Sequence, residues 1–307
     1  MDNVVIAAPL KVFQSGQIDF LLHSELTIAM TRFMRRGKAK DIYELDNGNI
    51  LFHFSDRVSA FDVNMATPIP KKGEVLCRFG EFWFNTLGAP HHMVKVIDKD
   101  KMEVKKLQMI PLECVVRGYF YGSFVDRYKD RLGIDLPSDF RPVLASKLPK
   151  PIFDPTTKSE EHDRPVDRQK IVSSGIVHDD DYDLIERVST SLYEKMSEIV
   201  ERAGFIIADV KFEFGMDEKG DMVLGDSLGP DEYRLWLKAD YKPGKIQESY
   251  DKQLLRDWLV KIGFKDTVDK LAKEGKKPES PEVSSEIARE LSRRYIFAYE
   301  RICGRML

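Results

Sequence analysis

Between residues 37 and 120 apolar and polar positions alternate in short runs separated by turn residues, which predicts mainly strands. Lys40-Asp-Ile-Tyr-Glu-Leu45 and Ile50-Leu-Phe-His-Phe54 flank Asp46-Asn-Gly-Asn49, and Asn-Gly between two such runs predicts a hairpin. Glu81–Leu87 reads as part of a helix ended by Gly88-Ala-Pro90, with further strands at His92–Asp98 and Leu112–Arg117. From Asp181 to Ala203 the period lengthens to that of a helix: Leu184, Val188, Leu192, Met196 and Ile199 form one core-facing stripe, and Gly204 terminates it. Leu254, Leu255, Trp258, Leu259 and Ile262 make a second helical face that stops at Gly263. After a polar linker at Lys273–Lys277, Ser280-Pro-Glu282 supplies helix-start chemistry for a face of Ile287, Leu291, Ile296, Tyr299 and Ile302. Residues 137–170 break the pattern. Pro137, Pro142, Pro149, Pro151, Pro155 and Pro165 among many charges predict a long irregular loop.

Asp209-Val-Lys-Phe-Glu-Phe-Gly215 carries the strongest chemical signal. In a strand its alternation sends Asp209, Lys211 and Glu213 to one face, about 6.6 Å apart. Asp217-Glu-Lys-Gly-Asp221 reads as a turn and Met222-Val-Leu-Gly225 as the returning strand. A two-residue Lys219-Gly220 loop would set Glu213 directly opposite Asp226, with Cβ atoms about 5 Å apart. Two facing carboxylates repel, which suggests a cation, and oxygen-only ligands point to magnesium beside a substrate phosphate. A solvated sheet face with an incidental charge pair fits the same pattern.

Composition narrows the class. The 307 residues are 42% hydrophobic and 32% charged, which suits a globular chain with room for two domains or one with an appendage. A net charge of −3 offers no bulk attraction to nucleic acid or anionic membrane. Cys77, Cys114 and Cys303 are widely spaced and odd in number, which suggests a reducing compartment and argues against structural zinc. The apolar opening Val4–Leu10 is short and follows Asp2, and no run approaches the roughly 20 apolar residues of a membrane span. A cytoplasmic location is expected.

Several other segments can handle anions. Gly37-Lys-Ala-Lys40 precedes the hairpin and aims Lys38 and Lys40 the same way; a basic surface turn would look identical. Arg117 ends a strand that also carries Glu113, and Gly118-Tyr-Phe-Tyr-Gly-Ser123 follows, so guanidinium, backbone N–H and hydroxyl can grip an oxyanion. An aromatic-rich turn with Arg117 paired to a surface acid is the plain alternative. Thr156–Asp163 bears Lys158, His162 and Asp163 among prolines and can cover a polar ligand, a solvated loop being the plain alternative; no second His or Cys stands at metal-ligand spacing from His162. Arg234 follows Asp226 closely enough to return to the same cleft, and Asp251–Arg256 opens the next helix. Walker A, Gly-x-Ser-x-Gly and Gly-x-Gly-x-x-Gly patterns are absent.

In combination and in order, these motifs resemble the SAICAR synthetase family of purine biosynthesis, over nearly the whole chain. The resemblance rests on Gly37–Tyr43, Ser55-Asp-Arg-Val-Ser-Ala-Phe-Asp62, Ile69-Pro-Lys-Lys-Gly73, Ile110–Gly118, Gly122-Ser123, Lys158 to Asp163, Asp209–Gly215, Gly225-Asp226, Arg234-Leu-Trp236 and Asp251-Lys-Gln253. Length and the helical tail resemble the longer, yeast-type members. The resemblance implies an α+β fold, related to ATP-grasp and kinase architectures, with antiparallel sheets, flanking helices and a helical C-terminal part. The expected divisions are 1–115 for a small sheet domain, 116–240 for the central domain and 241–307 for the helical part.

It also implies an ATP-dependent ligase that condenses CAIR, an imidazole ribonucleotide, with L-aspartate. By match to the motifs, Gly37, Lys38 and Lys40 face the ATP phosphates, and Met109 to Glu113 lines the adenine pocket. Glu213 and Asp226 hold Mg2+. Arg117, Ser123, Arg234 and Arg256 grip the CAIR phosphate and nearby oxygens. Asp56, Arg57, Ser59, Asp62, Lys72 and Gly73 serve the substrate carboxylates, while Asp209, Lys211, Lys158 and Asp163 complete the catalytic site. Asp163 and Asp209 are both candidates to take the amine proton. Partners are these small molecules, without nucleic acid or membrane, in a monomer or small homo-oligomer. Many members read Gly-Asp-Glu where this chain has Gly225-Asp-Ser227, which puts any metal role of that glutamate in doubt. A small-molecule kinase and an inactive ATP-binding module are the alternatives.

Overall fold

The computed structural model describes residues 31–129, 136–137, 139–158, 164–276 and 278–307. Its first sheet is built from β1 (Thr31–Arg36), β2 (Lys40–Leu45) and β3 (Ile50–Phe54), a ribbon of β4 (Ser59–Ala60) and β5 (Val63–Asn64) beside it, then helix α1 (Lys72–Leu87), β6 (Met93–Asp98) and β7 (Lys101–Val104). The sheet order is β1-β2-β3-β7-β6, antiparallel throughout. The Asn-Gly hairpin has the expected bounds, with Gly48 at φ 81 making the turn. Helix α1 buries Val75, Leu76, Phe79, Trp83 and Phe84, and ends on left-handed Gly88 as its sequence predicts.

The chain continues through β8 (Gln108–Met109), β9 (Leu112–Tyr119), α2 (Ser123–Lys129), β10 (Lys147–Phe153), β11 (Thr156–Thr157), β12 (Arg164–Pro165), α3 (Arg168–Ser173) and α4 (Asp179–Arg202). It then enters β13 (Phe205–Phe212), β14 (Phe214–Met216), β15 (Met222–Leu224) and β16 (Tyr233–Leu237). The second sheet runs β12-β11-β9-β13-β16, with β10 also on β9, and a small sheet β15-β14-β8 adjoins it. Strand β9 passes through residue 115, so a division there falls inside a strand.

Three local expectations need correction. The stretch after residue 137 is not irregular throughout, because β10 pairs with β9. Pro149 and Pro151 sit where the β10 register breaks, and an edge strand can spare the N–H that proline lacks. Helix α6 (Phe264–Lys273), which follows α5 (Gln253–Lys261), was illegible because Phe264 is its one buried residue. The last helix, α7 (Ser285–Cys303), starts later than Ser280; Ser284 caps it by accepting the Ile287 N–H at 3.3 Å.

Helix α4 lies across β9 and β13 so closely that a Cβ on Gly118 would fall 1.6 Å from the Tyr193 hydroxyl. That hydroxyl donates to the Ile207 carbonyl at 2.9 Å. Helix α7 packs on α1, and one continuous apolar core joins the first sheet, both helices and the inner face of β9–β13–β16. No helix among the described residues is long and apolar enough to cross a membrane.

Candidate functional site

The outer face of the second sheet carries the charge. Asp209 on β13 pairs with Arg117 on β9 and with Arg234 on β16, and directly paired residues share a face. Alternation then brings Lys211 and Glu213 onto that face, spanning about 13 Å from Asp209 to Glu213.

At one end is a ladder of alternating charge. Arg117 donates from Nε to Asp154 at 2.9 Å, from Nη1 to Asp209 at 3.1 Å and from Nη2 to the Ser123 hydroxyl at 3.3 Å. Arg127 also binds Asp154, and Arg234 also binds Asp209. Burial alone would raise the Asp209 carboxyl, but Arg234 and Arg117 outweigh it and hold it below the usual range. Gly122 is left-handed at φ 63, and a Cβ there would sit 2.7 Å from the Arg234 guanidinium, so the close approach needs glycine. Arg256 on α5 is pushed down by burial and by the like charge of Arg234, which places the two arginines in one electrostatic neighbourhood. Arg117, Ser123, Arg234 and Arg256 thus gather at one end of the face, although Arg117 pairs with buried acids and not a surface one.

At the other end lies a cavity of about 230 Å³ between the two sheets. Ile42, Ile50, Phe52, Val104, Leu107 and Met109 form its apolar side, and Lys40, Lys158, Glu213 and Asp226 its charged side. Lys40 binds Asp226, reaches the Ser227 hydroxyl at 3.1 Å and lies 4.2 Å over the Phe52 ring. Lys158 binds Glu213. Lys211 bridges inward, donating to Glu113 at 2.9 Å and Glu213 at 2.8 Å. Burial and the Asp226 charge raise the Glu213 carboxyl despite these lysines. Asp226 is also desolvated, yet Lys40, Lys211 and Lys158 pull it well below the ordinary range.

The expected facing of Glu213 and Asp226 is off by one residue. The pairs are Phe214↔Leu224, Gly215↔Val223 and Met216↔Met222, and the Gly225 N–H donates to the Glu213 carbonyl at 2.8 Å. The cause is a three-residue loop: the Asp217 N–H donates to the Asp221 carbonyl, and Gly220 supplies a φ of 82. Asp226 still reaches the cavity, because its backbone turns left-handed (φ 53) just past the strand.

Other named residues lie away from the cavity wall. Lys38 is exposed and donates to Asp62 at 2.6 Å. The Gly37 N–H closes a turn onto the Lys40 carbonyl at 2.8 Å, and Arg57 braces that turn through Asp41 at 2.6 Å and the Gly37 carbonyl at 3.2 Å. Asp56 accepts the Gly73 N–H at 2.9 Å, Ser59 is buried in β4, and Lys72 is wholly buried 2.8 Å from Asp231. Asp163 falls outside the described residues.

The sequence reading missed His92, Leu107 and Asp154. Asp154 carried a faint signal, an acid just after an apolar run and before a proline. His92 carried none. Burial lowers its ring to about 4, so it is neutral and its Nε2 donates to the Asp226 carbonyl at 2.9 Å, fixing the left-handed turn.

Comparison with known proteins matches this geometry to a family. The family model described as SAICAR synthetase matches residues 33–271. The phosphoribosylaminoimidazole-succinocarboxamide synthase of Nitrosopumilus maritimus is 50% identical over 276 residues, covering 90% of this chain and 99% of that protein. Its counterpart in Candida albicans is 39% identical over 287 residues, covering 88% and 94%. A solved SAICAR synthase from Saccharomyces cerevisiae, complexed with SAICAR, is 33% identical at a TM-score of 0.76, covering 90% of this chain and 95% of that one. A SAICAR synthetase solved with ADP is 26% identical at a TM-score of 0.67, covering 89% and 98%. With its α+β sheets, its charged face and most of its length matched in this way, the chain belongs to the SAICAR synthetase family.

Proposed function

We propose that this chain is a ligase joining the carboxylate of CAIR to the amine of L-aspartate, with ATP converted to ADP and phosphate. The observation that carries the reading is the cavity itself, an apolar slot that ends in Lys40, Lys158, Glu213 and Asp226. Its apolar side suits a purine ring, with Met109 and Leu107 against it, and its lysines suit the phosphates. At the far end of the same face, Arg117, Ser123, Arg234 and Arg256 suit the phosphate of a ribonucleotide. The relatives solved with SAICAR and with ADP carry ligands of these two kinds.

Glu213 and Asp226 fit magnesium by their chemistry. Both are hard oxygen donors at the phosphate end of the cavity. Magnesium commonly takes one or two carboxylates plus substrate phosphates, which is the number of carboxylates these two residues supply. When bound there, the ion would neutralise charge on the transferring phosphoryl group. Lys40 pairs with Asp226 and Lys158 with Glu213, so both carboxylates lie beside lysines suited to the same phosphates.

An unactivated carboxylate has a poor leaving group, and transfer of the γ-phosphoryl to CAIR would make an acyl phosphate that the aspartate amine can displace. Such a route asks for positioned charge and no protein nucleophile. Lys211, fixed by Glu113 and Glu213 midway along the face, can hold the oxygens exchanged between the two ends. Burial would lower its ammonium, but Glu213 and Glu113 dominate and keep it charged. The test is turnover by the purified chain with CAIR and ATP, with and without aspartate. Product and ADP that require aspartate support the ligase; a phosphorylated product formed equally well without it would indicate a kinase.

A further inference from the structure

Glu232 stands on the same face and is used by nothing described so far. It lies one residue before β16, and its carbonyl accepts the Lys211 N–H at 2.8 Å, so it continues the β13–β16 register. That register places its side chain opposite Lys211 and two positions along from Arg234, between the arginine ladder and the cavity. Lys211 is already committed to Glu113 and Glu213. Glu232 Oε2 is sealed from solvent without a hydrogen-bond partner among the described residues, although the residue as a whole stays partly exposed. A buried carboxylate oxygen left without a donor is costly unless a ligand or a proton satisfies it.

We infer that Glu232 accepts the proton which the ammonium of aspartate must lose before it attacks the activated carboxylate. The inference rests on the ligase reading above. The ammonium gives one proton to the Glu232 carboxylate; the neutral nitrogen forms the C–N bond as the C–O bond to phosphate breaks; the second hydrogen leaves with the departing hydrogen phosphate. Atoms and charge balance without another reactant. Glu232 later returns its proton to solvent.

The charges around it suit the task. Burial comes first and Asp231 second in opposing ionisation, and Asp226 adds to them; Lys211 and Lys40 favour it, with a net rise to about 8. From α1 the loop meets one apolar and one charged side chain: a Cβ on Gly229 would lie 2.8 Å from Leu76 and 3.5 Å from Glu232 Oε2, and Lys72 pairs with Asp231. Asp231 itself is held by Lys72, Lys252 and Tyr295. A base poised near the working pH is the effective kind. Asp209 is the poorer acceptor, since two guanidiniums stabilise its anion.

Glu232→Gln tests this in the whole protein. At pH 7 the variant should lose on the order of 10²-fold in kcat/KM for aspartate. The lower of the wild-type profile's rising limbs, the one set by Glu232, should vanish and leave only the alkaline limb of the aspartate amine itself, and Glu232→Asp should restore part of both activity and limb. With hydroxylamine replacing aspartate, a nucleophile already unprotonated at neutral pH, ADP and hydroxamate formation by Glu232→Gln should stay within a few-fold of wild type. Equal losses with both nucleophiles, or an aspartate profile that keeps the lower limb unchanged, would overturn the inference. If wild type traps no hydroxamate, the acyl-phosphate reading fails separately, and the aspartate pH profile alone decides the role of Glu232.

Discussion

Replacing Arg117 with alanine perturbs stability and substrate binding by separable amounts. The guanidinium is nearly sealed from water, with a side chain 7% exposed, and it joins Asp154, Asp209 and Ser123. Removing a buried cation costs about 3–5 kcal/mol when its partner is left alone. Here Asp154 keeps Arg127 and Asp209 keeps Arg234, so the expected loss is smaller, about 2–4 kcal/mol. At roughly 2–4 °C per kcal/mol, the melting temperature should fall by roughly 5–15 °C. Under the proposed function, a charged contact to the CAIR phosphate is lost as well. That loss, about 1.5–3 kcal/mol, raises the KM for CAIR by roughly one to two decades. KM for ATP should stay nearly constant, because the cavity lies at the opposite end of the face. Melting curves and steady-state kinetics, run well below the lowered transition, read the two effects independently. Ser123→Ala is the control: its hydroxyl is exposed and its bond to Arg117 is long, so stability should change by less than about 0.5 kcal/mol. Wild-type melting in Arg117→Ala would refute the structural ladder. A raised KM for ATP with that for CAIR unchanged would refute its placement on the ribonucleotide.

Asp226→Asn and Glu213→Gln should each lower kcat on the order of 10²–10³-fold while the chain stays folded; near-normal turnover in both at ordinary magnesium would remove the metal assignment. Gly118→Ala must displace Tyr193 and break its bond to the Ile207 carbonyl, costing about 3 kcal/mol or more by chemical denaturation; a loss below about 1 kcal/mol would mean that the ring swings aside freely. His92 predicts acid sensitivity: its folded value of about 4 lies below the ordinary 6.5, so between those values the unfolded chain binds more protons. Stability should therefore fall as pH drops through that window, by at most about 3 kcal/mol, and His92→Gln should flatten the slope. An unchanged slope would place the acid loss elsewhere.

The elements that the sequence determined are those whose information is local. The Asn47-Gly48 turn, the helical span of α4 and the stop at Gly88 each rest on residues within a few positions of one another, and the structure has them where the pattern puts them. The buried stripe of α4, however, runs through Tyr182, Ile185, Ser189, Leu192, Met196 and Val200, so that Leu184, Val188 and Ile199 sit at its edge. Alternation from Asp209 to Glu213 likewise settled which side chains share a face. The motif order identified the family, because it records many such local demands in sequence. What required the tertiary structure was every pairing between distant segments. Asp154 meets Arg117 across 37 positions and Lys40 meets Asp226 across 186, distances over which no periodicity carries information. Register was decided the same way: one extra loop residue at Glu218 shifted Glu213 from Asp226 to Gly225, a slip that apolar alternation does not penalise at a strand end. Helix α6 escaped the pattern because it buries little. His92 and Glu232 became visible only through burial, which sets their protonation and is a property of what the rest of the chain packs around them.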